Sequence, residues 1–176
     1  MSKQTKGCIH IYTGTGKGKT TAALGLGLRA CGHGWHVYMI QFMKGQVNYG
    51  ELSVMAKLEN WKIKQFGRPE YVNKANPDPC DVQGAEAGFA HAREVIDSDR
   101  YDLIILDEII CAIDYGLLDL GTVIQLVKTK PERLELVLTG RNAPQRLLDL
   151  ADYVTNMQEI KHPFQQRINA REGVEF

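Results

Sequence analysis

The chain has 176 residues, and its 21 Lys+Arg balance its 21 Asp+Glu to a formal net charge of zero at pH 7. That length fits one domain over residues 1–176 with a substantial core, and the 44% hydrophobic and 24% charged fractions are those of an ordinary soluble protein. The neutral balance argues against nucleic acid as a partner, and no apolar run approaches the ~20 residues that would cross a membrane.

The first element is a β-rich run over residues 8–12, which stops at a loop with glycines at 14, 16 and 18. Lys19 and Thr20 follow, and an Ala/Leu/Gly-rich helix covers residues 20–31. Strand, glycine loop and helix in this order make a phosphate-binding loop. Its backbone N–H groups form a nest for anionic oxygens, and the helix N-terminus adds partial positive charge. Lys19 supplies a full charge, and the Thr20 hydroxyl suits Mg²⁺. The G-x-x-x-x-G-K-[ST] pattern would put its first glycine at 13, but Thr13 stands there; glycine comes at 14, and Lys17 adds a second cation. Within the helix, Leu24, Leu28 and Cys31 make one stripe. Gly25 and Gly27 each cost about 1 kcal/mol relative to Ala and suit close approach of helix and sheet.

Residues 37–42 read as a buried strand from their near-continuous apolar character. Met43, Lys44 and Gly45 lead to a loop and a helix over residues 50–58, and residues 61–66 alternate as a further strand. Residues 67–81 hold three of the six prolines and form the longest irregular segment. Asp81 can cap a helix over residues 83–98, in which Ala85, Gly88, Phe89, Ala92, Val95 and Ile96 share one face. A strand over residues 103–106 ends in Asp107 and Glu108. Leu117, Leu120, Ile124 and Val127 mark a helix stopped near Pro131. A strand follows over 134–139, then a loop over 140–144, a helix from Pro144 to about Leu150, a last strand over 153–158 and a non-periodic tail.

Alternating strands and helices predict an α/β fold with a mostly parallel sheet and helices on both faces. Ligands of such sheets bind beyond the carboxyl ends of the strands. That rule gathers residues 14–20, 43–45, 107–108 and 140–142 at one rim. Asp107 and Glu108 end an apolar strand, where phosphate-loop proteins hold Mg²⁺ directly or through water. With Gly18, Lys19 and Thr20 they indicate Mg–nucleotide binding, without saying which bond of the nucleotide breaks. His10, His33, His36, His91 and His162 show no metal-ligand spacing and read as packing or surface residues. Cys8, Cys31, Cys80 and Cys111 form no C-x-x-C pair, and residues 1–7 are polar and too short for a signal peptide, so a reduced cytoplasm is the expected setting.

Five stretches narrow this reading: Gly14-Thr-Gly-Lys-Gly-Lys-Thr-Thr21, Gln41-Phe-Met-Lys-Gly45, Leu106-Asp-Glu108, Leu138-Thr-Gly-Arg-Asn-Ala-Pro144 and Lys161-His-Pro-Phe164. Together the set resembles the signature of the phosphate-loop corrinoid adenosyltransferases, in order and spacing, from the first strand to the tail. The resemblance implies a P-loop NTPase, RecA-like architecture. It implies transfer of the 5′-deoxyadenosyl group of ATP to the Co(I) of cobalamin or cobyrinic acid a,c-diamide, with release of triphosphate. Gly14, Thr15, Gly16, Lys17, Gly18, Lys19, Thr20 and Thr21 would bind ATP in reversed orientation, its γ-phosphate deep. Thr20 and Glu108 would hold Mg²⁺, with Asp107 behind them or as an alternative ligand. Lys17, Lys19 and Glu108 would carry the catalysis, and Arg141 and Asn142 would reach the nucleotide or a neighbouring subunit. A homodimer and an electron-donating flavoprotein are implied as well.

Two stretches depart from the family pattern. Phe66-Gly-Arg-Pro-Glu-Tyr71 stands where Gly-Phe-Thr-Trp is common, so the role of that aromatic pair at the corrin is not carried over. In the tail, Arg167 and Arg171 replace a common Gly and Gln. A phosphate-loop ATPase or kinase, with Glu108 orienting water or an acceptor hydroxyl, stays open at this point, as does a nucleotide-binding regulatory module without turnover.

Overall fold

The computed structural model describes residues 6–46 and 48–175, so of the polar opening stretch 1–7 only Lys6 and Gly7 are among them. The strands are β1 (Ile9–Thr13), β2 (Val37–Phe42), β3 (Trp61–Phe66), β4 (Leu103–Asp107), β5 (Glu135–Thr139) and β6 (Tyr153–Asn156). Between them lie α1 (Lys19–Gly32), α2 (Gly50–Met55), α3 (Pro79–Asp97), α4 (Ile109–Asp114), α5 (Leu120–Lys128) and α6 (Gln145–Leu148), and a 3-10 turn follows at Pro163–Gln166. All six strands join one sheet in the order β3-β2-β4-β5-β1-β6, and every pairing is parallel. Parallel neighbours need crossovers, which the helices supply. β5 lies between the loop strand β1 and the acid strand β4.

The core follows the two-residue period of the strands. On one face Ile104 and Leu106 of β4 pack with Ile40, Phe42, Leu136 and Leu138 under α3, α4 and α5. Leu103 and Ile105 point the other way and pack with Val37, Met39, Trp61 and Val137 under α1. β4 and β5 are buried at every position, which is why their sequences are near-continuous apolar runs.

Several elements differ in detail from expectation. α1 buries Ala23, Gly27 and Ala30 rather than the stripe of Leu24, Leu28 and Cys31, and Leu28 is 51% exposed. The small residues win because the helix lies close on the sheet: a Cβ on Gly27 would stand 2.3 Å from the Trp61 ring. Gly25 faces open space and takes no part in that approach. α3 begins at Pro79, four residues before the expected start, and its N-cap is Asp78 rather than Asp81. Asp78 accepts from the Cys80 N–H at 2.8 Å, and Asp81 accepts from the Asp78 N–H at 3.2 Å, a reciprocal capping box. The buried Asp81 carboxylate also takes the Arg68 guanidinium at 2.9 and 3.1 Å, which ties the preceding loop to the helix. α4 is an addition: its run Ile109, Ile110, Cys111, Ala112 is uniformly buried and shows no helical period. α2 and α6 stop at Met55 and Leu148, and β6 at Asn156, each a little short of the expected ends. Among the described residues no helix is long and apolar enough to cross a membrane.

Candidate active site

The rim segments expected from the sequence meet around a cavity of about 550 Å³, whose wall includes Lys17, Lys19, Thr20, Lys44, Glu108 and Arg141. Gly14 opens the phosphate loop at φ +99°, and a Cβ there would lie 2.2 Å from Asn156 Oδ1 and 2.4 Å from the Met157 carbonyl oxygen. Gly18 closes it at φ +118° as the N-cap of α1. The loop is fastened to the end of β6: the Gly16 N–H donates to Met157 O at 2.7 Å, and the Met157 N–H donates to Thr13 O at 2.8 Å. Thr13, in the place of the usual glycine, completes β1 and is buried. Its hydroxyl oxygen accepts from the Ala143 N–H at 3.3 Å and so couples the loop to the 140–144 segment.

Lys19 folds back across its own loop. Its Nζ donates to Gly14 O at 2.8 Å and to Gly16 O at 2.7 Å. Burial lowers the Lys19 pKa, with the Glu108 charge opposing that shift. α1 has neither a side-chain N-cap nor an acidic residue in its first turn. The terminal N–H groups and the partial positive charge of the helix are therefore left for an anion.

Asp107 is fully buried, and four donors surround its carboxylate. Oδ1 accepts from Thr20 Oγ1 at 2.9 Å and Thr139 Oγ1 at 2.8 Å, and Oδ2 accepts from Lys44 Nζ at 2.7 Å and Gln41 Nε2 at 3.2 Å. Burial alone would lower the Lys44 pKa, but the Asp107 charge and hydrogen bond outweigh it and raise the pKa overall. The Thr139 hydroxyl also accepts from the Glu108 N–H at 2.9 Å. Glu108 takes the left-handed backbone conformation, φ +63°, as the chain turns from β4 into α4. Of the two strand-end acids, Glu108 lines the cavity and Asp107 lies behind it. Among the described residues no group of three or more His, Cys, Asp or Glu side chains is arranged to hold a metal ion. Mg²⁺ is usually held by one or two protein groups together with substrate phosphates, and Thr20 with Glu108 is a donor set of that kind.

Other expected residues stand differently. Thr15, Thr21 and Arg141 line the cavity. Lys17 lines it too, but its Nζ donates to Glu175 Oε1 at 2.9 Å and to Val174 O at 2.8 Å. Asn142 does not: it donates to Asp114 Oδ2 at 3.1 Å, beside the bond from Lys74 Nζ at 2.6 Å, and so holds the turn rather than facing the cavity. The wall also includes Tyr49, Glu51, His162 and Gly173, Val174 and Glu175, none of them expected as site residues. Lys44 and His162 sit in two of the five stretches that carry the resemblance, so a signal existed for them; the non-periodic tail offered none for residues 173–175. His10 packs elsewhere, paired with Glu135 and stacked on Tyr153 at a ring distance of 4.5 Å.

Comparison with known proteins places the chain in a family. The family model described as ATP:corrinoid adenosyltransferase BtuR/CobO/CobP matches residues 5–176. The chain belongs to this family. A corrinoid adenosyltransferase of Sinorhizobium sp is 39% identical over 173 residues, covering 97% of this chain and 81% of that protein. One from Escherichia coli strain K12 is 32% identical over 183 residues, covering 100% of this chain and 89% of the relative. Among solved structures, a KaiC-like protein of Pyrococcus horikoshii superposes with a TM-score of 0.59 at 14% identity, over 89% of this chain and 75% of that one. That likeness speaks for the RecA-like P-loop fold alone.

Proposed function

We propose that this corrinoid adenosyltransferase moves the 5′-deoxyadenosyl group of ATP onto the Co(I) centre of a reduced corrinoid and releases intact triphosphate. One observation carries the reading. The cavity gathers Lys17, Lys19, Lys44 and Arg141 around a phosphate loop, while its nearby thiol, Cys111, is pushed up to about 12 by burial and by Glu108. The site is thus rich in groups for holding an anion and poor in nucleophiles. A corrinoid brings its own nucleophile. The cobalt electron pair forms the Co–C5′ bond, the C5′–O5′ bond breaks, and its electrons leave on the triphosphate.

The protein then has two tasks: to hold C5′ in line with cobalt, and to stabilise the leaving triphosphate. Lys19 can exchange the carbonyls of Gly14 and Gly16 for phosphate oxygens, and the α1 N-terminus faces the same anion. Thr20 and Glu108 would hold Mg²⁺, which would neutralise charge on the triphosphate as it departs. Asp107 is a positioning residue that orients Thr20 and Lys44. Arg141 reaches the nucleotide, and Asn142 fixes the turn that carries it. The family resemblance further supports one adenosyltransferase domain over residues 1–176, a homodimer, a cytoplasmic setting and an electron-donating flavoprotein.

The test combines ATP, Mg²⁺ and chemically reduced cobalamin or cobyrinic acid a,c-diamide, followed by cobalt spectroscopy and phosphate analysis. Adenosylated corrinoid and intact triphosphate in equal amounts are expected. ADP and phosphate formed without corrinoid dependence would overturn the reading in favour of an ATPase or kinase.

A further inference from the structure

We propose that Glu175 is an internal competitor for Lys17, and that residues 171–175 release the phosphate loop when a triphosphate binds. The inference rests on the reading of the cavity as the triphosphate site. Residues 173–175 lie in the same wall as Lys19, Thr20 and Glu108. The segment is folded as a compact turn: the N–H groups of Val174 and Glu175 donate to Arg171 O at 3.2 and 2.9 Å, and Gly173 sits at φ +76°. Arg171 grips the Glu175 carboxylate three times, through its backbone N–H at 2.8 Å, Nε at 3.2 Å and Nη2 at 3.1 Å. These bonds and the Lys17 bond hold the Glu175 pKa down at about 2. The carboxylate is thus charged and pre-aimed. Lys17 Nζ meets its Oε1 at 2.9 Å and Val174 O at 2.8 Å, so the ammonium already holds two oxygens that an incoming phosphate would have to replace.

A triphosphate brings several negative charges to a cavity already bordered by Glu51 and Glu108. It and Glu175 cannot both hold Lys17 without like-charge repulsion. The Lys17 side chain is 44% exposed, so its pair with Glu175 is weak enough to exchange. The competition lowers the apparent affinity by the fraction of chains in which Lys17 is engaged. Its use lies after transfer, when the leaving triphosphate must itself leave: Glu175 waits beside Lys17 to take the ammonium back.

Calorimetry with inorganic triphosphate tests this directly. Glu175→Gln keeps the side-chain size, and the affinity is expected to rise by about 2- to 5-fold, the range for a half-exposed ion pair. In a Lys17→Met background the same change should give a clearly smaller gain, since only the field of the Glu175 charge is then removed, and an undiminished gain overturns the competitor role. Hydrogen exchange read by mass spectrometry should show the Val174 and Glu175 amides exchanging faster at saturating triphosphate, as their bonds to Arg171 O open. Equal or weaker binding by Glu175→Gln, or slower exchange of those amides, overturns the competitor role while leaving the triphosphate site intact. Absence of triphosphate binding in both the parent and Glu175→Gln overturns the triphosphate site itself.

Discussion

Asp107→Asn separates an acid that organises the site from one that serves it as a ligand. All four neighbours of the carboxylate are donors: Thr20, Thr139, Lys44 and Gln41. Asn offers one acceptor oxygen and an NH₂ donor. If the oxygen stays on Lys44 and Gln41, the NH₂ faces two hydroxyls, and that of Thr139 already accepts from the Glu108 N–H. If the amide turns, the NH₂ faces the Lys44 ammonium. Either way Lys44, whose side chain is 16% exposed, loses its counter-charge. Removing one partner of a buried ion pair costs about 3–5 kcal/mol; the amide oxygen that remains and the residual exposure of Lys44 reduce this to about 2–4 kcal/mol. A loss of about 3 kcal/mol lowers Tm by roughly 6–12 °C in a domain of this size. Urea unfolding with an unchanged slope measures the loss. Adding Lys44→Met removes the stranded charge and should recover about half of it or more. Glu108→Gln, on the cavity wall, should stay within about 0.5 kcal/mol of the parent while reducing Mg²⁺-dependent transfer. A loss under about 1 kcal/mol for Asp107→Asn, or strict additivity with Lys44→Met, would refute the reasoning.

The other predictions concern single contacts. Gly25→Ala, in open space on α1, should stabilise by about 0.5–1 kcal/mol, whereas Gly27→Ala should destabilise by about 1–3 kcal/mol because of the Trp61 ring; thermal unfolding of both variants checks the sign reversal. Lys19→Ala should weaken inorganic triphosphate binding by about 10-fold or more in calorimetry, as expected for loss of a charged hydrogen-bond donor. Iodoacetamide at about pH 8 should modify exposed Cys80 and spare Cys111, which is buried and pushed up to about 12; peptide mass spectrometry reads both, and Cys111 should react only once the chain is unfolded.

The rim of the site was legible because its signals are local. A glycine loop, a strand-end acid pair and a turn after a strand each announce themselves in a few residues, and the parallel topology then brings them together. The buried face of α3 was legible for the same reason: Ala85, Phe89, Ala92 and Ile96 keep helical spacing over about three turns. α4 was not, since a short run buried on all sides carries no period and reads as continuous with β4. Nor was the true buried stripe of α1, because side-chain size decided it: the nearness of Trp61 favours Ala23, Gly27 and Ala30 over larger residues. Two expected site residues carry partners distant in sequence that the sequence did not announce. Asn142 is taken by Asp114, and Lys17 by Glu175, 158 positions away. Side-chain pairing at such range leaves no mark in periodicity or spacing.

The cations of the cavity differ in what each would give up to an incoming anion. Lys44 would have to strand a fully buried carboxylate, so it stays with Asp107 and acts on a ligand only through its field. Lys19 gives up two carbonyl oxygens that carry no net charge, and phosphate oxygens replace them with stronger, charge-assisted bonds. Lys17 gives up an ion pair that water already weakens. Affinity should therefore concentrate at Lys19 and the α1 N-terminus, while exchange is controlled at Lys17. The loop is built to match: Gly14 and Gly16 are locked against Met157, whereas among the described residues Lys17 bonds to residues 174–175. Thr13 belongs to the locked half, because its hydroxyl bond to Ala143 is one that the usual glycine could not make. A loop fastened at one end and exchangeable at the other would suit the proposed reaction, in which the whole triphosphate is gripped through transfer and then released.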